Sequence, residues 1–212
     1  AMVESGTTCI NDISSDGTSA HVLDRYSIRG IVSLDFFHPG FDAVNVSKIV
    51  SNYQQLVQRF EHHPLIDIGL SPHSPYNVSP KAWQAVLDQC PDAVIHTHLA
   101  ESQDEVAWLQ GQASSINHVH QTILGQHYRP MVEGLSPVMY LEDYSLLNKQ
   151  TIAAHGNQTT ASERQLLTQR DVALVHCPRS NQALGHQSLS PDGFDGRFGL
   201  GTDGSLSTST LD

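Results

Sequence analysis

Short apolar runs alternate with amphipathic stretches along most of the chain. Candidate strands begin near Thr7 (TTCINDI), Arg29 (RGIVSLDFF), Leu65 (LIDIGL), Ala93 (AVIHTH), Thr151 (TIAAH), Val172 (VALVH) and Phe198 (FGLGTD). Most are short, rich in Val and Ile and free of polar alternation, as strands buried on both faces are. Between them, Phe41–Phe60, Pro80–Leu87 and Ser162–Leu167 carry apolar residues near helical spacing. Ser79-Pro80 has the form of an N-cap followed by proline at the first helical position. Strand, helix and strand repeated in this way imply parallel pairing through crossover helices.

The expected fold class is therefore α/β, a (β/α)8 barrel of the TIM type. About seven strand–helix units are countable where eight close a barrel, so the barrel is expected to be incomplete. A turn at Ser5-Gly6 precedes the first candidate strand, and Leu211-Asp212 follows the last one without a closing helix. Both the first strand and the C-terminal closure are thus expected to be missing. The stretch from about Gly111 to Asn148 contains Pro130, Gly134 and Pro137 and is too long for a simple connection. It reads as a loop insertion ending in a helix over Ser136–Leu147. With 212 residues there is room for one sizeable core, and residues 1–212 are taken as one partial barrel domain.

Composition narrows the partners. A formal net charge of -11 repels phosphate backbones and anionic lipid, which argues against nucleic acid and membrane surfaces. No run of about 18 apolar residues occurs to span a bilayer. Cys9, Cys90 and Cys177 lie far apart with no C-x-x-C pair, so neither a disulfide framework nor a thiolate zinc site is indicated. A reducing, cytoplasmic setting fits best. There is no G-x-x-x-x-G-K phosphate loop, and Lys48, Lys81 and Lys149 are the only lysines, so a nucleotide-phosphate binder fares badly.

Histidine is what stands out. The strand near Leu65 leads to His73 and the next to His98 and Glu101; later ones end in His155, in His176 and in Asp203. In a parallel barrel those ends converge on one face, where active sites form. Imidazole and carboxylate ligands suit zinc or a similar divalent ion with an open position for water, whose pKa the ion lowers. Glu101, three residues beyond His98, can reach that water and shuttle its proton. His155 can hydrogen-bond the same water, and Asp203 can complete the ligand set or act as a second proton acceptor.

Four motifs in this order, H-L-A-E (98–101), A-H-G (154–156), H-C-P-R-S-N (176–181) and L-G-T-D-G (200–204), resemble the amidohydrolase superfamily. The similarity is closer to its nucleoside-type deaminases and chlorohydrolase-like members. S-P-H-S-P-Y (71–76), S-P-V-M-Y-L (136–141) and C-P-R-S-N-Q-A-L-G (177–185) are most similar to aminodeoxyfutalosine deaminases. The resemblance implies strands two to eight of the barrel and one divalent metal, zinc or else iron. It makes His98 the metal ligand of the fifth strand and Asp203 that of the eighth. Glu101 becomes the general acid/base, His155 the residue that orients the hydrolytic water, and His73 a substrate contact. Arg179 and Asn181 are candidates for substrate contact or for holding their own loop.

Family members carry a His-x-His pair on the first strand, and no such strand precedes Ser5. His96-Thr97-His98 has that spacing, but Leu99-Ala100-Glu101 follows it and only His98 sits at a strand end, so His96 is not expected to be a ligand. His118-Val119-His120 reads as a surface or loop pair. The function implied is hydrolytic deamination of an amino-purine nucleoside or related small heterocycle. The alternatives are dechlorination or amide hydrolysis at a similar centre, or a catalytically incomplete barrel fragment that self-associates as a homo-oligomer through an exposed edge.

Overall fold

The computed structural model describes residues 2–204. Every predicted apolar run is a strand: β1 (Cys9–Ser14), β2 (Arg29–Phe36), β3 (Ile66–Pro72), β4 (Val94–Leu99), β5 (Thr151–His155), β6 (Ala173–His176) and β7 (Phe198–Leu200). They form one seven-stranded sheet in sequence order, each strand parallel to the next. The helices are α1 (Thr18–Arg25), α2 (Ala43–Arg59), α3 (Pro80–Leu87), α4 (Gln103–Leu109), α5 (Ser115–Leu124), α6 (Pro137–Asp143), α7 (Ala161–Gln169) and α8 (Pro178–Ala183). Leu211-Asp212, where the sequence suggested an unclosed end, lies outside the described residues.

Local chemistry sets the helix starts. The Ser79 hydroxyl accepts the Ala82 N–H at the head of α3, with Pro80 in the first turn as expected. Thr160 and Glu163 form a reciprocal capping box on α7, each side chain accepting the other's backbone N–H. Strand residues Val32, Leu70, Ile95, Leu99 and Leu174 are buried in one core with Leu23, Val46, Val50, Trp83, Val86 and Leu167 from the helices. Burial on both faces is what the non-alternating strand pattern demands.

The sheet is curled. At about 4.8 Å per strand step, a flat sheet would put β1 and β7 about 29 Å apart. Instead, Ile10 and Asp12 of β1 and Leu200 of β7 line one cavity together with His96 and His98 of β4. The architecture is thus an α/β, TIM-type barrel left open between its first and last strands.

Segment 111–148 departs from the loop expected there. It carries α5, which Ser114 caps by accepting the Ile116 N–H and which Gly125 ends at φ +66°. Only Ile116 and His120 of this helix are buried; Ile116, Val119, Ile123 and Leu124 fall at helical spacing, but the last three are exposed. The helix expected over Ser136–Leu147 stops at Asp143, and Ser145 turns the chain at φ +56°. Leu146 and Leu147 continue the apolar spacing because they are buried beyond the helix. His118 is exposed on α5, as a surface residue should be, whereas His120 is buried between Trp108 and Tyr128. That contradicts a loop pair: His120 packs as a core aromatic and reaches Asn77 Oδ1 at 3.3 Å.

Candidate active site

The register of the central strands assembles the site. Leu99 pairs with His155, so the ends of β4 and β5 lie side by side. Three non-glycine residues at strand ends adopt left-handed backbone: Ala100 (φ +53°), His155 (φ +75°) and Asp203 (φ +60°). Such conformations cost about 1 kcal/mol or more each and persist only where surrounding bonds enforce them. Here the Glu105 carboxylate of α4 accepts the N–H groups of Ala100 (3.1 Å) and Glu101 (2.9 Å). The Gly156 N–H bonds the Leu99 carbonyl at 2.9 Å, tying the end of β5 to that of β4.

A cavity of about 520 Å³ opens at these strand ends, and His73, His96, His98, His155 and Asp203 line it. Glu101 flanks it, its Oε1 3.8 Å from His155 Nε2 and 3.7 Å from His186 Nε2. The rings of Phe37, His73, His98 and His155 follow one another at centroid distances of 4.3, 4.5 and 5.5 Å. His98 Nδ1 donates to the His73 carbonyl at 2.8 Å, which leaves the Nε2 lone pair uncommitted. His73 Nδ1 lies 3.0 Å from the Asp35 carboxylate, which also accepts the Ser71 hydroxyl. A backbone or carboxylate partner on the far nitrogen is the arrangement that orients a ligating imidazole.

Burial favours the neutral form of His98 and of the adjacent His96. Burial pushes the pKa of His98 down, and the neighbouring His73 and His155 add to it. His96 is pushed down to about 3, again by burial first. Asp203 is half-buried, and burial alone would raise its pKa. The Ser180 hydroxyl and the Gly204 amide, with His155 and His98 nearby, outweigh that and hold it below the usual carboxylate range. Neutral imidazole and ionised carboxylate are the protonation states a metal ligand needs.

The donor chemistry at His98 Nε2 and Asp203 fits a divalent ion. Both ring nitrogens of His96 are buried without a hydrogen-bond partner on the wall of the same cavity. Among the described residues, however, no three His, Cys, Asp or Glu side chains are grouped to hold an ion by themselves. The structure therefore brings together His73, His98, Glu101, His155 and Asp203. It does not bring Arg179 into the cavity wall, for that residue is exposed on α8. Asn181 is fully buried and engages His155 instead. Sequence reasoning missed Asp35, Glu105, Asn157 and His186. Only Asp35, a carboxylate inside the apolar run RGIVSLDFF, left a signal.

A parallel, open barrel with imidazoles and carboxylates gathered at its strand C-termini places the chain among the (β/α)-barrel proteins. The chain belongs to the amidohydrolase family, whose model matches residues 1–212. It is 28% identical over 218 residues to a 5-methylthioadenosine/S-adenosylhomocysteine deaminase of Aquifex aeolicus, covering 99% of this chain and 46% of that protein. The crystal structure of Helicobacter pylori aminofutalosine deaminase superposes with a TM-score of 0.86 at 19% identity, over 98% of this chain and 52% of that one. An adenosine deaminase from Xanthomonas campestris with bound zinc matches with a TM-score of 0.71 at 26% identity, over 100% of this chain and 45% of that one. The chain spans about half the length of the curated relatives it matches.

Proposed function

We propose that this site belongs to a metal-dependent hydrolytic deaminase acting on the ring amine of an amino-purine nucleoside or a related small heterocycle. The observation that carries the reading is Glu101, a carboxylate three residues past His98 and 3.8 Å from Nε2 of His155, which lines the cavity. The deaminases among its relatives and a zinc-containing neighbour support it. His98 Nε2 and the Asp203 carboxylate would hold one divalent ion, zinc or else iron, which when bound acidifies water for attack. Water adds to the ring carbon bearing the amine. Glu101 takes the proton released there and delivers it to the departing nitrogen, the C–N bond breaks, and ammonia leaves. His155 orients the water, Asp203 serves as a second acceptor, and His73 faces the substrate ring.

The same residues would serve a chlorohydrolase or amide hydrolase, differing only in the leaving group. A net charge of -11 supports an uncharged small molecule over nucleic acid or an anionic membrane surface. The three free cysteines suit a reducing cytoplasm. Replacing Glu101 with Gln should lower the rate of ammonia release from adenosine-type compounds by about 10²–10⁴-fold with metal retained. Unchanged turnover in that variant sinks the role of Glu101, and no release from any amino-purine by the metal-loaded chain sinks the deaminase reading.

One observation favours a second reading, in which this chain alone is catalytically incomplete. A catalytic zinc site uses three protein ligands, and the described residues offer no such group. Metal analysis of the purified chain after zinc loading decides: about one equivalent favours a working site, and none favours the incomplete one.

A further inference from the structure

His155 Nδ1 sits at one end of a hydrogen-bond chain whose polarity is fixed at the other end. That far end is the backbone carbonyl of Glu101, which can only accept. Asn157 meets it at 3.0 Å, so the Asn157 atom there is the amide nitrogen. Asn157 Oδ1 consequently faces Asn181 and accepts its Nδ2–H at 2.8 Å. Asn181 Oδ1 is then turned to His155 Nδ1 at 3.0 Å, and as an acceptor it requires the hydrogen on Nδ1. The second Nδ2 hydrogen of Asn181 points to His176 Nδ1 at 3.4 Å, consistent with the same orientation. Reversing either amide alone puts two acceptors or two donors in contact. Asn181 is 0% exposed and His155 1%, so no solvent rescues such a mismatch. A buried polar group left unsatisfied costs about 1–3 kcal/mol.

We propose that Asn157 and Asn181 are positioning residues that lock His155 as its Nδ1–H tautomer and aim the Nε2 lone pair at Glu101. The consequence lies in the gap between Nε2 and Glu101 Oε1, 3.8 Å wide. With Nε2 unprotonated, two acceptors face each other across it, and a molecule donating two hydrogens satisfies both. Water does so with one hydrogen to Nε2 and the other to the carboxylate, which turns its oxygen lone pair away from both and toward the cavity. This use of the tautomer rests on the deaminase reading; the tautomer itself does not.

The test is a long-range proton–nitrogen correlation spectrum of the full chain labelled with nitrogen-15 in histidine, with His155 assigned from the signals lost in His155→Gln. The expected pattern is a pyrrole-type Nδ1 and a pyridine-type Nε2 on His155. In Asn157→Ala and in Asn181→Ala that pattern should shift to an averaged or Nε2–H one. An Nε2–H or averaged His155 in the unsubstituted chain overturns the proposal, and that spectrum decides alone where an alanine variant fails to fold. An unchanged His155 in a folded alanine variant overturns the lock assigned to the two asparagines. A chain that releases no ammonia yet shows Nδ1–H loses the deaminase reading and keeps the tautomer; an active chain with Nε2–H does the reverse.

Discussion

Glu105 is fully buried on α4, and its two oxygens hold the amides of Ala100 and Glu101. Burial pushes its pKa up to about 8, against the two amides that lower it, and the Glu101 charge adds to the rise. In the unfolded chain its value is the ordinary 4.5. The folded state therefore binds this proton more tightly than the unfolded state does. Its contribution to stability is complete below about 4.5 and declines as pH rises toward about 8. The urea midpoint should fall across the upper part of that window, and Glu105→Gln should flatten the fall. An equally steep fall in the variant would exclude Glu105 as its source. Buried His96 and His98, whose pKa values are lowered, act in the opposite direction, destabilising the fold as pH drops below about 6.5. Comparing variant with parent cancels them. At this scale the sequence was legible where a residue's place in a strand decides its direction. His98, His155 and Asp203 sit at strand ends and reach one cavity. Glu105, Asn157 and Asn181 act by gripping atoms 4 to 56 residues away, and no local pattern announces that.

All seven strands were legible in the sequence. Strands β2 to β5 carry runs of mostly buried residues, whereas β1 (CINDIS) and β7 (FGL) are largely unburied and were read from shorter apolar stretches. Helix α5, with two buried residues, was missed. The contact between β1, β2 and α1 also depends on something periodicity does not report, the lack of a side chain at Gly30. A Cβ there would meet the Ile10 carbonyl oxygen at 2.4 Å and Leu23 Cδ1 at 2.8 Å. The nearer atom is backbone in the neighbouring strand, so it cannot swing aside. Gly30→Ala should lower unfolding stability by about 1–3 kcal/mol in urea titrations, the range for overpacking. An unaffected midpoint would mean that β1 is free to move, and that its inward residues are not a fixed wall of the cavity.

At the scale of the molecule, the sheet has two ends and no closing strand among the described residues. Phe198 is 49% exposed on β7 and Leu200 77%. Unpaired edges flanked by apolar side chains template association between chains. The chain should therefore self-associate with concentration in sedimentation velocity. Phe198→Lys should raise the dissociation constant by roughly tenfold, equal to about 1.4 kcal/mol; a constant unmoved by the charge would place the contact elsewhere. Because the seven strands lie in the sheet in the order they occur in the chain, each ladder forms between successive strands. None waits for a partner from the opposite terminus. Each closure still spans a whole crossover, from 20 residues between β1 and β2 to 56 between β4 and β5, which makes such parallel pairing slow to form. During synthesis, which runs from the N-terminus, a strand can dock as it leaves the ribosome onto one already in place. The growing rim advances strand by strand and at each moment leaves one new edge to be shielded.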